Sequence, residues 1–470
     1  MPGKFKIVVS DLHLSAGRVA EGNPLEDFGS DQEFAALLEE VTAESEREGA
    51  EVELILNGDV FEMLQVPHVA DFDPAVEYPS KQYHSSSEED SLLKMAIIIE
   101  GHRRFFQGLG QFLRVGPPRR RVTFVKGNHD LNLHWSGVQA VIRDALGAHS
   151  GRRSLVSFEE RRISREGIYV EHGNQYAEVV DRVEDMEEPH DHGDPLQLAL
   201  PLGSWFVMDV FNRVEREKYW IDGVKPITAL VWYALAFDFG FALRAIARLA
   251  GSLPGILWEG LRAPEPPSLE AMGRELEDGG RVEALAGRYE SDEAFRVQLN
   301  TELAELLGVP LEISNGEVRG AHGAGSPVEM GDRVRSRVRS SLYEMAAARA
   351  AEEKVKVVTF GHTHDARVEE LPGGGTYINS GTWTWRADFG SSDEQTWKNL
   401  FAHPERFTDD RVLSYVRIDY DAEGQPSGRL LNYEPGAEGP SWGMIDGVPS
   451  IWHRIEDLFR RLASFLGTEI

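Results

Sequence analysis

The sequence predicts an α/β fold in which two packed β-sheets are flanked by helices and interrupted by a large, mostly helical insertion. Three observations lead there. Short apolar, β-branched runs recur along the chain, each followed at once by glycine or polar residues, as buried strands are. Helical patterns alternate with the first three runs, which implies strands joined by crossover helices. Between the fourth and fifth runs this alternation stops, and a long segment of different character intervenes.

The strand-like runs are residues 5–10 (FKIVVS), 52–56 (VELIL), 122–125 (VTFV), 168–170 (IYV) and 355–360 (VKVVTF). Two alternating stretches, 376–385 and 412–420, add further strands. Helical patterns fall over 31–46, 88–112 and 138–146. The chain thus divides into a first α/β part over 1–176, an insertion or cap over 177–351, a second α/β part over 352–435, and a C-terminal amphipathic helix in 436–470. In that last segment Ile451, Ile455, Leu458, Leu462 and Phe465 recur at helical spacing.

The insertion opens on an acidic loop, 184–194, whose trio His190, Asp191 and His192 reads as solvated charge rather than a metal site. It continues with an apolar run, 226–243, about as long as a membrane span. Asp238 and Gly240 interrupt that run, so a buried cap helix is expected, with contact to lipid or an acyl chain as the second reading. Peripheral membrane contact by the basic C-terminal helix is the corresponding alternative there. Arg333, Arg335, Arg337 and Arg339 spread around a predicted helix, where they either pair with local acids or reach a substrate phosphate.

Composition narrows the chemistry. With 41% hydrophobic residues among 470, the chain can bury a large core. It has no cysteine, so any metal is held by Asp, Glu, His, Asn or backbone. The formal net charge of −29 opposes long polyanions, which makes nucleic acid a weaker expectation than a small phosphorylated substrate. The start runs directly into the first strand without a signal-peptide pattern, and a cytoplasmic location is expected, at most peripheral at the inner face of the membrane.

Every strand-like run ends in residues that bind metals, and the carboxyl ends of strands are where α/β sheets place their sites. Asp11 and His13 follow the first run, and by strand alternation can reach one ion together, as can His362 and His364 after the fifth. Asp59 follows Gly58, whose missing side chain leaves room for close approach. Asn128 offers a neutral carbonyl oxygen, and His172 ends the fourth run. Two carboxylates, one amide and four imidazoles suit Mn²⁺, Fe or Zn²⁺ better than Ca²⁺ or Mg²⁺.

These residues, in this order, resemble the calcineurin-like metallophosphoesterases. The family pattern runs D-x-H, G-D, G-N-H-D, a lone H, and G-H-x-H. It is matched by Asp11 and His13, by Gly58 and Asp59, by Gly127, Asn128, His129 and Asp130, by His172, and by Gly361, His362 and His364. The resemblance covers roughly residues 1–180 and 350–420 and leaves the insertion unexplained. It implies a four-layer sandwich and two divalent ions per chain, with Mn favoured and Fe or Zn as alternatives. Asp11, His13, Asp59 and His364 would bind the first ion. Asp59, Asn128, His172 and His362 would bind the second, with Asp59 bridging and a hydroxide between the ions as nucleophile. His129 would give a proton or hydrogen bond to the leaving oxygen, and Asp130 would orient it or hold the loop. Asn379 falls where the family often carries an asparagine near the substrate.

Within the family, the D-L-H-L start and the G-D-x-F-E block, which includes Phe61 and Glu62, resemble the bacterial UDP-2,3-diacylglucosamine hydrolases. That branch usually carries Arg at the place of His129 and has a much shorter insertion, so it is a relative rather than an identity. The expectation is a dinuclear phosphoesterase cleaving a phosphodiester or pyrophosphate bond, on a substrate that is small and lipid-linked in one version. A DNA or RNA nuclease of the same family and an inactive metal-binding scaffold are the alternatives.

Overall fold

A computed structural model describes residues 3–17, 22–114, 116–191, 193–223, 225–238, 240–242, parts of 287–301 and of 313–318, and 327–385, 394–407 and 411–434. The expected C-terminal helix and His192 lie outside the described residues. The strands are β1 (Lys4–Val9), β2 (Glu51–Asn57), β3 (Arg120–Val125), β4 (Val156–Glu159), β5 (Arg162–Arg165), β6 (Ile168–Glu171), the two-residue pieces β7 (His190–Asp191), β8 (Gln197–Leu198), β9 (Ile313–Ser314) and β10 (Glu317–Val318), then β11 (Val357–Phe360), β12 (Arg367–Leu371), β13 (Gly375–Asn379), β14 (Ser414–Tyr420) and β15 (Pro426–Asn432). The helices used below are α1 (Asp31–Glu48), α2 (Lys81–His84), α3 (Glu88–Gly101), α4 (Arg103–Arg114), α5 (Ser136–Ala145), α6 (Leu202–Phe206), α7 (Asn212–Glu217), α8 (Ile227–Phe237), α9 (Pro327–Glu353) and α10 (Glu394–Ala402).

Two mixed sheets form the centre. One has the order β15-β14-β1-β2-β3-β4, parallel from β1 to β4 and antiparallel through β14 and β15. The other has the order β12-β13-β11-β6-β5, with β6, β11 and β13 parallel and an antiparallel strand at each edge.

Strand alternation sorts the apolar side chains into layers. Phe5, Ile7 and Val9 of β1, with Leu54 and Leu56 of β2, pack against Phe34, Leu38, Phe105 and Phe112 of α1 and α4. Their neighbours Val8 and Ile55 point the other way and meet Ile168, Val170, Val357 and Ile378 of the second sheet. Beyond that sheet, Tyr169, Val358 and Tyr377 pack on Val338, Leu342 and Ala346 of α9. The layers therefore run helices, sheet, sheet, helix. Each fully buried side chain of this kind contributes about 1.5–3 kcal/mol of transfer free energy.

The helical pattern over 88–112 is two helices, α3 and α4, broken at His102. The chain passes so close to Gly101 that a Cβ there would stand 2.3 Å from the Ala16 carbonyl oxygen. His102 itself is buried between Glu26 (3.1 Å) and Asp31 (3.2 Å).

The cap has its own core, in which Trp220, Leu230 and Trp232 meet Val328, Met330 and Val334 of α9 and Trp397 and Leu400 of α10. Tyr233 stacks on Trp397 with ring centroids 3.5 Å apart. Helix α9 joins the two bodies, since its first half lies in the cap core and its second on the sheet. The expected boundary at 351/352 falls inside this helix. The apolar run 226–243 contributes α8, which stops at Asp238, where Lys218 Nζ donates to the carboxylate at 2.7 Å. Its buried residues line the cap core, as expected of a cap helix. Among the described residues, no helix is long and apolar enough to cross a membrane.

Candidate metal centre

The site forms where the chain leaves the carboxyl ends of β1, β2, β3, β6 and β11. At Asp11, His13, Asp59, His362 and His364 the backbone turns left-handed, with φ of 53°, 51°, 49°, 68° and 56°. Non-glycine residues seldom adopt this conformation, and it clusters at functional sites, held by the structure around it. Backbone hydrogen bonds hold it here: Asp11 N–H donates to the Gly58 carbonyl (3.1 Å) and His13 N–H to that of Asp59 (3.0 Å). The Asp11 carboxylate accepts from His362 N–H at 3.0 Å and from Ser10.

The left-handed turns decide which side chains meet. Strand alternation would send His362 and His364 to the same ion. Instead, β11 ends at Phe360, and the two histidines diverge. His364 joins Asp11 and His13, and its Nε2 lies 3.0 Å from His13 Nε2. His362 joins Asp59 and His172 in the adjoining group. All these residues are buried. Asp59 stands between the groups, with Oδ2 3.0 Å from His172 Nε2 and 4.0 Å from His13 Nε2.

Glycines of the motifs make this approach possible. A Cβ on Gly58 would stand 2.5 Å from the His172 ring, and one on Gly127 would stand 2.1 Å from Asp59 Oδ1. The missing side chain at Gly58 thus makes room for His172.

Two donor atoms point to a cation. Asn128 Oδ1 is buried and accepts no hydrogen bond. His172 Nε2, although 3.0 Å from Asp59 Oδ2, is not aligned for a hydrogen bond to it. Its Nδ1 lies 3.0 Å from the Asn57 carbonyl, to which it donates, so Nε2 is the nitrogen that faces the centre. A ligating histidine is normally oriented by such a bond on its other nitrogen. Likewise, the 3.0 Å between His13 Nε2 and His364 Nε2 suits neighbouring donors on one ion at about 2.0–2.1 Å from each. The described residues thus include buried His, Asp and Glu groups that could hold a metal ion.

Electrostatics reflect the crowding. Burial pushes Asp11 up, and the neighbouring Asp59 adds to this. Burial would raise Asp59 too, but the charges of His172 and His129 hold it well below the usual carboxylate range. Burial opposes protonation of His172, yet Asp59 and Asp11 push it up to about 10. At His364 burial and the Lys225 ammonium act together and hold the ring well below its ordinary value.

His129 lines the cleft over the centre. Its backbone N–H donates to Asp59 Oδ1 (2.9 Å), and its Nδ1 lies 2.6 Å from Glu62 Oε2. Burial works against its protonation, but Glu62 and Asp59 prevail and push it up to about 9. Asp130 holds the loop: its carboxylate accepts from Val60 N–H (2.8 Å) and Gly127 N–H (2.7 Å). Asn379 is fully buried, and its amide donates to the Gly361 carbonyl (2.8 Å) while its oxygen accepts from Gly381 N–H (3.0 Å). Asn379 thus braces the His362 turn.

Several residues of the site escaped the sequence reading. Glu62 stands in the G-D-x-F-E block but carries no ligand spacing of its own, and it meets both His13 and His129. Asp181, Glu178 and Lys225 come from the insertion and reach the same cleft, with Asp181 Oδ2 3.5 Å from His362 Nε2. Burial and Asp181 push Glu178 up to about 8. Nothing local in the sequence distinguishes these three from surface charges. Exposed His190 of the insertion has Nε2 3.0 Å from Nε2 of His134, a residue of the first α/β part.

A scan against protein-family models finds no match, and no curated protein matches the chain.

Proposed function

We propose that the chain is a metal-dependent phosphoesterase of the calcineurin-like type, hydrolysing a phosphodiester or pyrophosphate bond. The observation that carries this reading is the pair of adjoining buried ligand groups, Asp11, His13 and His364 beside Asp59, His172 and His362. In this reading two divalent ions complete the centre, with Asn128 Oδ1 as a further donor. The mixed nitrogen and oxygen set favours Mn²⁺, with Fe or Zn²⁺ as alternatives. When bound, such ions polarise phosphoryl oxygens and acidify water.

The chain's own residues do the rest. Asp59 keeps the two groups in register. Glu62 fixes His129 through Nδ1, so Nε2 is the nitrogen that can hand a proton to the leaving oxygen. The cap covers the centre through Lys225, Pro226, Val207 and Phe211, which favours a small substrate over a long polymer. Val179, Leu202 and Trp205 are exposed and lie within two residues in the chain of the cleft-lining Asp181 and Gly203, which supports an apolar, lipid-linked group on that substrate.

The test offers Mn²⁺-loaded protein four substrates: bis-p-nitrophenyl phosphate, p-nitrophenyl phosphate, UDP-sugar lipids and single-stranded DNA. Turnover of a small diester or of the pyrophosphate-linked lipid is expected. Cleavage of DNA alone would replace this reading with a nuclease. Two bound ions without any turnover would replace it with a metal-binding scaffold.

A further inference from the structure

We propose that the cleft is built for phosphoesters bearing a second phosphoryl group, held by Lys225, Arg335 and Arg339. This rests on the phosphoesterase reading above. Two clefts adjoin over the centre and share Lys225, Pro226 and Thr363. One leads from Asp59 and His129 to an apolar wall of Val207 and Phe211. The other leads from His364 to Arg335 and Arg339.

The two ends differ in charge. Glu62, Glu178 and Asp181 line the first cleft and outnumber its cations, Lys225 and His129, so a further anion is less favoured there. The second collects three cations against one carboxylate, Asp365, in a chain whose net charge is −29. Lys225 stands at the waist, lining both clefts.

Arg335 and Arg339 are one turn apart on α9 and therefore share a face. Both are held in place. The Arg335 guanidinium lies 5.6 Å above the Trp397 ring, and Arg339 Nε donates to Asp365 Oδ2 at 2.7 Å. A guanidinium fixed beforehand loses little freedom on binding and matches a phosphoryl group with two parallel donors. With the scissile phosphorus beside Asp59 and His129, an uncharged or apolar substituent faces Val207 and Phe211. The second phosphoryl group then points past His364 to the arginines. Nucleotide-type and pyrophosphate-linked substrates have this asymmetry.

The test uses calorimetry on the Mn²⁺-loaded full chain with two non-hydrolysable probes, methylphosphonate and methylenediphosphonate. Arg339→Gln is expected to weaken the bisphosphonate about tenfold, the effect of one lost charge-assisted hydrogen bond, and the monophosphonate much less. Arg335→Lys, which keeps the charge but loses the fork, should act in the same direction. Thermal midpoints are measured alongside to exclude unfolding. Folded variants that bind both probes as the wild type does would overturn the subsite. If the wild type cleaves bis-p-nitrophenyl phosphate yet shows no arginine-dependent preference, the subsite falls and the phosphoesterase reading stands. If it binds neither phosphonate and cleaves no phosphoester, both fall.

Discussion

His129 and Glu62 meet with 2.6 Å between Nδ1 and Oε2, and the same oxygen lies 2.7 Å from His13 Nδ1. One carboxylate oxygen thus orients a proposed metal ligand and the proposed proton donor together. Burial would raise Glu62, but the His129 charge keeps it low, so it remains an acceptor for both rings.

Glu62→Gln weakens that double acceptor, because a neutral amide oxygen replaces a charged oxygen shared by two N–H groups. We expect metal affinity or turnover to fall about 10–100-fold, the usual cost of losing an orienting partner behind a ligand. Metal titration and steady-state rates on the variant check this. Wild-type values in both would remove Glu62 from the account.

His129→Ala should keep its metal, because the proposal assigns the two ions to Asp11, His13, Asp59, Asn128, His172, His362 and His364 and gives His129, which also converges with His13 and Glu62, the proton-donor role. Turnover should drop about 10²–10⁴-fold on a diester with an alcohol leaving group, the range for a lost general acid. With p-nitrophenolate leaving, the drop should be smaller, since that group departs without a proton. Equal losses on both substrates would contradict the role.

Gly127→Ala tests the close packing of the centre. The new Cβ would stand 2.1 Å from Asp59 Oδ1 and 2.5 Å from its backbone nitrogen, so Asp59 must move. A misplacement of about 1 Å in such a site costs on the order of 10²-fold in rate. Kinetics with metal analysis reads this out, and an alanine variant of wild-type activity would contradict the packing argument.

The clustering of these His, Asp and Asn side chains was legible because they follow short, β-branched, buried runs, a pattern that survives in one sequence. Within the two central sheets, the strands that no apolar run in the sequence marks are β4, β5, β12 and β15, and all four are sheet edges. An edge strand exposes one flank and much of one face, so its apolar alternation fades. In β5 only Ile163 is buried. The pairing of His362 with Asp59 was illegible from strand alternation, since it depends on left-handed turns at His362 and His364. Asp181 and Lys225 were hidden for another reason, being brought to the centre by packing of the cap.

Away from the centre, His102 supplies a pH test of stability. Burial disfavours its charge, but Glu26 and Asp31 push it up to about 10 from 6.5. A group raised on folding stabilises fully below its unfolded value, and that share is lost as pH climbs through the folded one. Thermal midpoints should therefore fall between pH 6.5 and about 10. His102→Ala should lower stability by about 3–5 kcal/mol at neutral pH, as loss of one partner from a buried pair does, and flatten this slope. An unchanged slope would show that His102 is not its source.

In the proposed dinuclear centre, seven side chains from five strand ends hold two ions, with Asp59 shared between its halves. Elemental analysis of Mn²⁺-equilibrated, dialysed protein tests it most directly, with Asp59→Asn beside the wild type. The account predicts two ions per wild-type chain, and loss of both ions and of bis-p-nitrophenyl phosphate turnover in Asp59→Asn. A wild-type chain that retains no divalent ion, or an Asp59→Asn chain that retains two, would contradict it.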